Sequence, residues 1–129
     1  MKKYILALTF LVTTLFVFGQ KLPAANADVN AATFEQAIKV KGVQLVDVRS
    51  PREYQGGHIE GALNYDWNGD NFKTEVLKLD KNQPVAIYCY SGGRSDEAKK
   101  WLQLNGFKNV IQLDGGIAEW RAAQKPVVK

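Results

Sequence analysis

Apolar and polar residues along the 129-residue chain fall into short runs of two periods, preceded by one run with no period. Residues 4–18 are apolar except for Thr9, Thr13 and Thr14, and they follow Lys2 and Lys3. A basic start before such a run predicts a secretory signal peptide, because the run falls short of the roughly 20 residues that span a bilayer. Cleavage is expected after Gly19, giving a leader of residues 1–19, with Ala25-Asn26-Ala27 as an alternative end at 27. No Cys directly follows the run, so a lipid-modified anchor has no acceptor. Residues 20–27 hold Pro23 and small residues without periodicity and are read as a flexible lead-in.

Beyond them, helical and strand-like patterns alternate. Asn30 is placed to cap a helix in which Phe34, Ala37 and Ile38 share one face. Residues 43–48 form an apolar run read as a buried strand, ended by Ser50-Pro51. Residues 63–65 give a brief strand, and Phe72, Val76, Leu77 and Leu79 a short helix before the breaker at residues 82–84. Residues 85–89 are a further strand, leading into Ser91-Gly92-Gly93. Ala98, Trp101 and Leu102 mark a helix stopped by Asn105-Gly106, residues 110–113 the last strand and 117–123 the last helix. Strands alternating with helices predict one α/β domain over residues 28–125, with a mainly parallel central sheet covered by helices on both faces.

Composition narrows the chemistry. Lys+Arg 17 against Asp+Glu 13 gives +4, of which Lys2 and Lys3 belong to the leader. So weak a surplus, without a basic run, argues against nucleic acid as a partner. One Cys and one His exclude a disulfide framework and a multi-thiolate metal site. No metal and no organic cofactor is expected. With the leader gone nothing marks a membrane-lying helix or a dimer face, so the mature chain is expected to be an exported, periplasmic monomer.

The single thiol stands out by its setting. Cys89 ends an apolar strand and is followed by Tyr90-Ser91-Gly92-Gly93-Arg94-Ser95 and then a helix. A Gly-rich strand–loop–helix turn lets successive backbone N–H groups converge on a small cup. Those donors, the positive end of the helix and the Arg94 guanidinium all favour an anion there, which lowers a thiol pKa from about 8.5. The carboxyl ends of parallel strands are also where α/β sheets collect ligands.

This segment resembles the active-site loop of single-domain rhodaneses, sulfurtransferases that carry sulfur as a cysteine persulfide. Asp47-Val48-Arg49 is similar to that family's D-x-R at a strand end. Gly57-His58-Ile59-Glu60-Gly61-Ala62 is similar to its G-H-I-x-G-A turn, and Asp114-Gly115-Gly116-Ile117 with Trp120 to its G-G-x-x-x-W signature. The four motifs stand in register from about Val29 to Ala123. The resemblance implies a single rhodanese-like domain that moves a sulfane sulfur from thiosulfate or a related persulfide to cyanide or a thiol, through a Cys89 persulfide. The terminal sulfur would accept N–H bonds from Tyr90, Ser91, Gly92, Gly93, Arg94 and Ser95, with Arg94 orienting the donor. Asp47 and Arg49 are expected to brace loops, and His58 to be a hydrogen-bonded turn residue. Trp67, Trp101 and Trp120 are read as packing residues.

From Cys89 to Arg94 the spacing is C-x4-R, whereas phosphatases of this architecture carry C-x5-R, with Ser95 here at the seventh position. The shorter loop makes a tighter cup, suited to sulfur on Cys89 more than to a tetrahedral phosphate. Asp96 and Glu97 offset part of the positive potential, which favours a less charged donor than thiosulfate. The alternative reading is a non-catalytic rhodanese-like binding module.

Overall fold

The computed structural model describes residues 21–129, so the predicted leader lies outside the described residues. Five strands form one sheet in which every pairing is parallel, ordered β1 (Asp28–Val29), β5 (Val110–Leu113), β4 (Val85–Tyr88), β2 (Gln44–Asp47) and β3 (Leu63–Asn64). Between them run α1 (Ala31–Ile38), α2 (Pro51–Gln55), α3 (Phe72–Glu75) continued by a 3-10 turn at Val76–Lys78, α4 (Gly93–Leu104) and α5 (Gly116–Ala122).

Two buried layers flank the sheet because successive strand side chains point to opposite faces. Along β4, Ala86 and Tyr88 join Phe34 and Ala37 of α1 and Ile117 and Trp120 of α5. Val85, Ile87 and Cys89 join Phe72, Val76, Ala98 and Leu102 from the α3–α4 side. The expected parallel sheet with helices on both faces is the architecture found. The three tryptophans pack as expected. Phe72 lies edge-on to Trp67 at 4.9 Å and to Trp101 at 5.8 Å, and Trp120 stands 6.4 Å from Phe34.

The caps are local. Asn30 accepts from the Thr33 N–H at 2.9 Å, the predicted start of α1. Helix α2 is an element that the hydrophobic pattern does not predict, since Ser50-Pro51 reads there only as a strand stop. Ser50 and Glu53 form a reciprocal capping box with Pro51 at the first helical position, which starts a helix even though none of its residues is buried.

The lead-in is also more ordered than its composition implies. The Asn26 side chain accepts from the Val110 N–H at 2.8 Å, and Asp28 pairs with the buried Lys99 at 2.7 Å. These contacts, and not any periodicity, seat β1 on the sheet edge. At the other end, Trp120 Nε1 donates to the Pro126 carbonyl at 2.9 Å, and His58 and Val128 exchange two 2.8 Å backbone bonds, so hydrogen bonding continues past residue 125.

Candidate functional site

All strands being parallel, their carboxyl ends meet at one edge of the sheet, and Cys89 leaves the central strand β4 there. The residue is almost wholly buried, at 1% exposure. Its Sγ accepts the Gly92 N–H at 3.0 Å and lies 3.3 Å from the Ser95 hydroxyl, which donates to it. Gly92 closes the turn at φ 109°, and α4 starts on the next residue.

The loop is shaped from below by α5. The Ile117 N–H donates to the Cys89 carbonyl at 2.9 Å and the Ala118 N–H to the Tyr90 carbonyl at 3.0 Å. In a trans peptide the carbonyl and the following N–H point opposite ways, so the N–H groups of Tyr90 and Ser91 face away from α5. Two glycines allow this close approach. A Cβ on Gly116 would lie 2.2 Å from the Tyr90 carbonyl oxygen, and one on Gly92 2.3 Å from that of Asp114. Gly116 of the C-terminal Gly-Gly motif thus has a geometric cause that spacing alone does not reveal. Sequence reading missed Ile117 and Ala118 as loop supports.

Burial alone would push the Cys89 thiol pKa up. Hydrogen bonds from the Ser95 hydroxyl and the N–H groups of Ser95, Gly92 and Ser91 outweigh it and hold the pKa below its ordinary value. Thiolate is therefore available at lower pH than in an unstructured chain. Stability linked to this ionisation is full above the ordinary thiol pKa and is lost as pH falls through the lowered one. Ser95→Ala is expected to slow alkylation of Cys89 severalfold near neutral pH and to leave it nearly unchanged in alkaline buffer. Iodoacetamide kinetics read this directly, because the chain has one Cys. Equal slowing at every pH would assign Ser95 to access and not to ionisation.

Arg94 lies on the first turn of α4, but its fork is occupied. Nη1 donates to Glu53 Oε1 at 2.8 Å and Nη2 to Oε2 at 3.0 Å, a bidentate pair. Ser50 holds the same carboxylate, its hydroxyl donating to Oε1 at 3.1 Å. The Arg94 hydrogen bonds, opposed by partial burial and aided by Ser50, bring the Glu53 pKa down to about 2. Glu53 was not among the predicted site residues. Its capping-box spacing is visible in sequence, but its partner is not.

The buried pair at the end of β2 ties that strand end to the turn at Gly57. Arg49 donates from Nη2 to Asp47 Oδ2 and to the Gly57 carbonyl, both at 2.7 Å, and from Nε to Asp47 Oδ1 at 3.0 Å. The Asn64 amide donates to the Asp47 and Arg49 carbonyls at 3.1 and 2.8 Å. His58 stacks on Tyr54 with ring centroids 3.7 Å apart, its Nδ1 2.9 Å from the Tyr54 carbonyl. None of these contacts reaches Cys89. The remaining loop residues Tyr90, Ser91 and Gly93 are exposed at the mouth of the cup.

Residues 30–123 match the rhodanese-like domain family. The thiosulfate sulfurtransferase GlpE of Shewanella oneidensis is 36% identical over 88 residues, covering 68% of this chain and 85% of that protein. The tRNA uridine(34) hydroxylase of Buchnera aphidicola is 35% identical over 97 residues, 70% of this chain but only 30% of that enzyme. Among solved structures, a rhodanese-related protein from Thermoplasma volcanium is similar at TM-score 0.69 and 30% identity, covering 78% of this chain and 96% of that one. A thiol cradled at the end of a central parallel strand and a match spanning nearly every described element agree, and the chain belongs to the rhodanese-like domain family.

Proposed function

We propose that the chain is a sulfurtransferase that moves a sulfane sulfur from thiosulfate or a related persulfide to cyanide or a thiol, with Cys89 as the catalytic nucleophile. The observation that carries this reading is the cradle at Cys89 Sγ, where the Gly92 N–H at 3.0 Å and the Ser95 hydroxyl at 3.3 Å stabilise a sulfur anion. The similarity to thiosulfate sulfurtransferase GlpE supports it.

In the first step the thiolate attacks the outer sulfur of the donor. The donor S–S bond breaks, and sulfite or an organic thiolate leaves with the electron pair. The Cys89 persulfide then presents its terminal sulfur to the N–H groups of residues 90–95. An acceptor attacks that sulfur, the new S–S bond breaks, and thiolate returns. No external oxidant or reductant enters, and no metal or organic cofactor is needed. Two half-reactions sharing one covalent intermediate imply ping-pong kinetics. Lys2, Lys3 and the apolar run after them support an exported, periplasmic location.

Thiocyanate formation from thiosulfate or an organic persulfide and cyanide tests the reading. Activity is expected in the parent chain and should fall to background in Cys89→Ser, with Cys89 gaining about 32 Da, one sulfur atom, after donor treatment. Absence of that gain with every donor would overturn sulfur transfer and leave the binding module.

A further inference from the structure

The charge around the cup is balanced in a way that bears on the donor. The segment from Cys89 to Lys100 holds three basic side chains, and each is paired with a carboxylate. Arg94 is bound to Glu53 at 2.8 Å, Lys99 to Asp28 at 2.7 Å and Lys100 to Asp96 at 3.0 Å. Glu97 adds a further carboxylate on the same helix and accepts from Trp67 Nε1 at 3.0 Å. The hydrogen-bond donors at the sulfur itself, the Gly92 N–H and the Ser95 hydroxyl, meet one anionic atom. Tyr90, the residue after Cys89, is 56% exposed and presents an aromatic side chain to solvent on this loop.

Thiosulfate brings two negative charges to this mouth. An organic persulfide brings one, at its sulfane end, on an uncharged carbon body. The Glu53 carboxylate decides between these cases, because it cancels Arg94, the cation carried by the Cys89 loop. It is fixed there by two independent constraints, the Arg94 fork and the α2 capping box.

We infer that Glu53 is a positioning residue that sets donor class: by holding and neutralising Arg94 it makes the site take sulfur from singly charged organic persulfides in preference to the thiosulfate dianion. The inference rests on the sulfur-transfer reading. For a persulfide anion R–S–S⁻, the Cys89 thiolate attacks the outer sulfur, the donor S–S bond breaks, R–S⁻ leaves with the bonding pair, and the negative charge stays on the sulfur transferred.

Glu53→Gln isolates the charge, since a glutamine at this capping-box position still accepts from Ser50 and from one arm of Arg94. Sulfur loading of Cys89 is measured with thiosulfate and with 2-hydroxyethyl persulfide, in the parent chain and in Glu53→Gln, at low and high salt. The parent should favour the persulfide in kcat/KM. In Glu53→Gln the thiosulfate-to-persulfide ratio should rise about tenfold, chiefly through a lower thiosulfate KM, as expected for unmasking one cation near a dianion. High salt should erase most of that gain, and Glu53→Asp should return the ratio towards the parent value. A merely structural glutamate would change both donors by the same factor without salt dependence, and that result overturns the inference while leaving sulfur transfer intact. A parent chain that prefers thiosulfate also overturns it. A parent chain that loads neither donor overturns both readings.

Discussion

Gly92→Ala is expected to lower the melting temperature by about 15 °C, whereas the neighbouring Gly93→Ala leaves it unchanged or slightly raised. The two glycines are adjacent in sequence but meet opposite constraints. Gly92 holds φ 109°, where an L side chain is strained, and its Cβ would stand 2.3 Å from the Asp114 carbonyl oxygen, against backbone that cannot swing aside. Strain of about 1–3 kcal/mol and overpacking of a similar size add to about 3 kcal/mol. Gly93 has nothing within 4 Å of its prospective Cβ and opens α4, where alanine restricts the unfolded chain at no folded-state cost. Thermal unfolding followed by circular dichroism separates the two. The Gly92 variant should also lose the low-pH reactivity of Cys89, because the shift needed to relieve the clash draws the Gly92 N–H from Sγ. Equal melting temperatures would mean that the Cys89 loop and the 114–116 turn are free to separate.

Those two glycines show where sequence reading stops. Residues 85–89 are a continuous apolar run, and it carried the buried strand because both faces are covered, Ala86 and Tyr88 on one side and Val85, Ile87 and Cys89 on the other. The Cys89-to-Ser95 loop was legible for a similar reason, since its donors are neighbours in sequence. So was the D-x-R pair, whose partners are two residues apart. The bond between Arg94 and Glu53 joins residues 41 apart and has no periodic signature. Helix α2 buries no residue, so hydrophobic spacing is silent over it although Ser50 and Glu53 carry its start. Strand β1 has two residues, too few for any period, and is fixed by Asn26, Asp28 and Lys99. Strand β1 and the Arg94–Glu53 bond are held by polar contacts between distant segments, which composition and spacing do not encode, whereas α2 is started by a local capping box that carries no hydrophobic signal.

Breaking the Asp47–Arg49 pair should cost more than any exposed ion pair in the molecule. Both side chains are nearly inaccessible, at 0% and 4%. For Arg49, burial opposes the charge, but the hydrogen bond and the attraction from Asp47 outweigh it and raise the guanidinium pKa above its ordinary value. Asp47→Asn keeps the shape and removes that compensation, leaving a buried cation facing a neutral amide. Arg49→Met strands the carboxylate and also deprives the Gly57 carbonyl of its donor. Each is expected to cost about 3–5 kcal/mol, a large share of the 5–15 kcal/mol typical of a whole domain. The double variant should cost about as much as either single one, because neither residue is left with an unpaired charge, and a double-mutant cycle in denaturant would show that coupling. Additive losses would mean that the two side chains stabilise the fold independently. The pair also fixes the route from β2 through α2 to Glu53, so its loss reaches the thiol only through the fold. At low temperature, where Asp47→Asn is still folded, Cys89 should keep its alkylation rate within about threefold. A folded but unreactive Asp47→Asn would instead place this carboxylate in the chemistry of the cup.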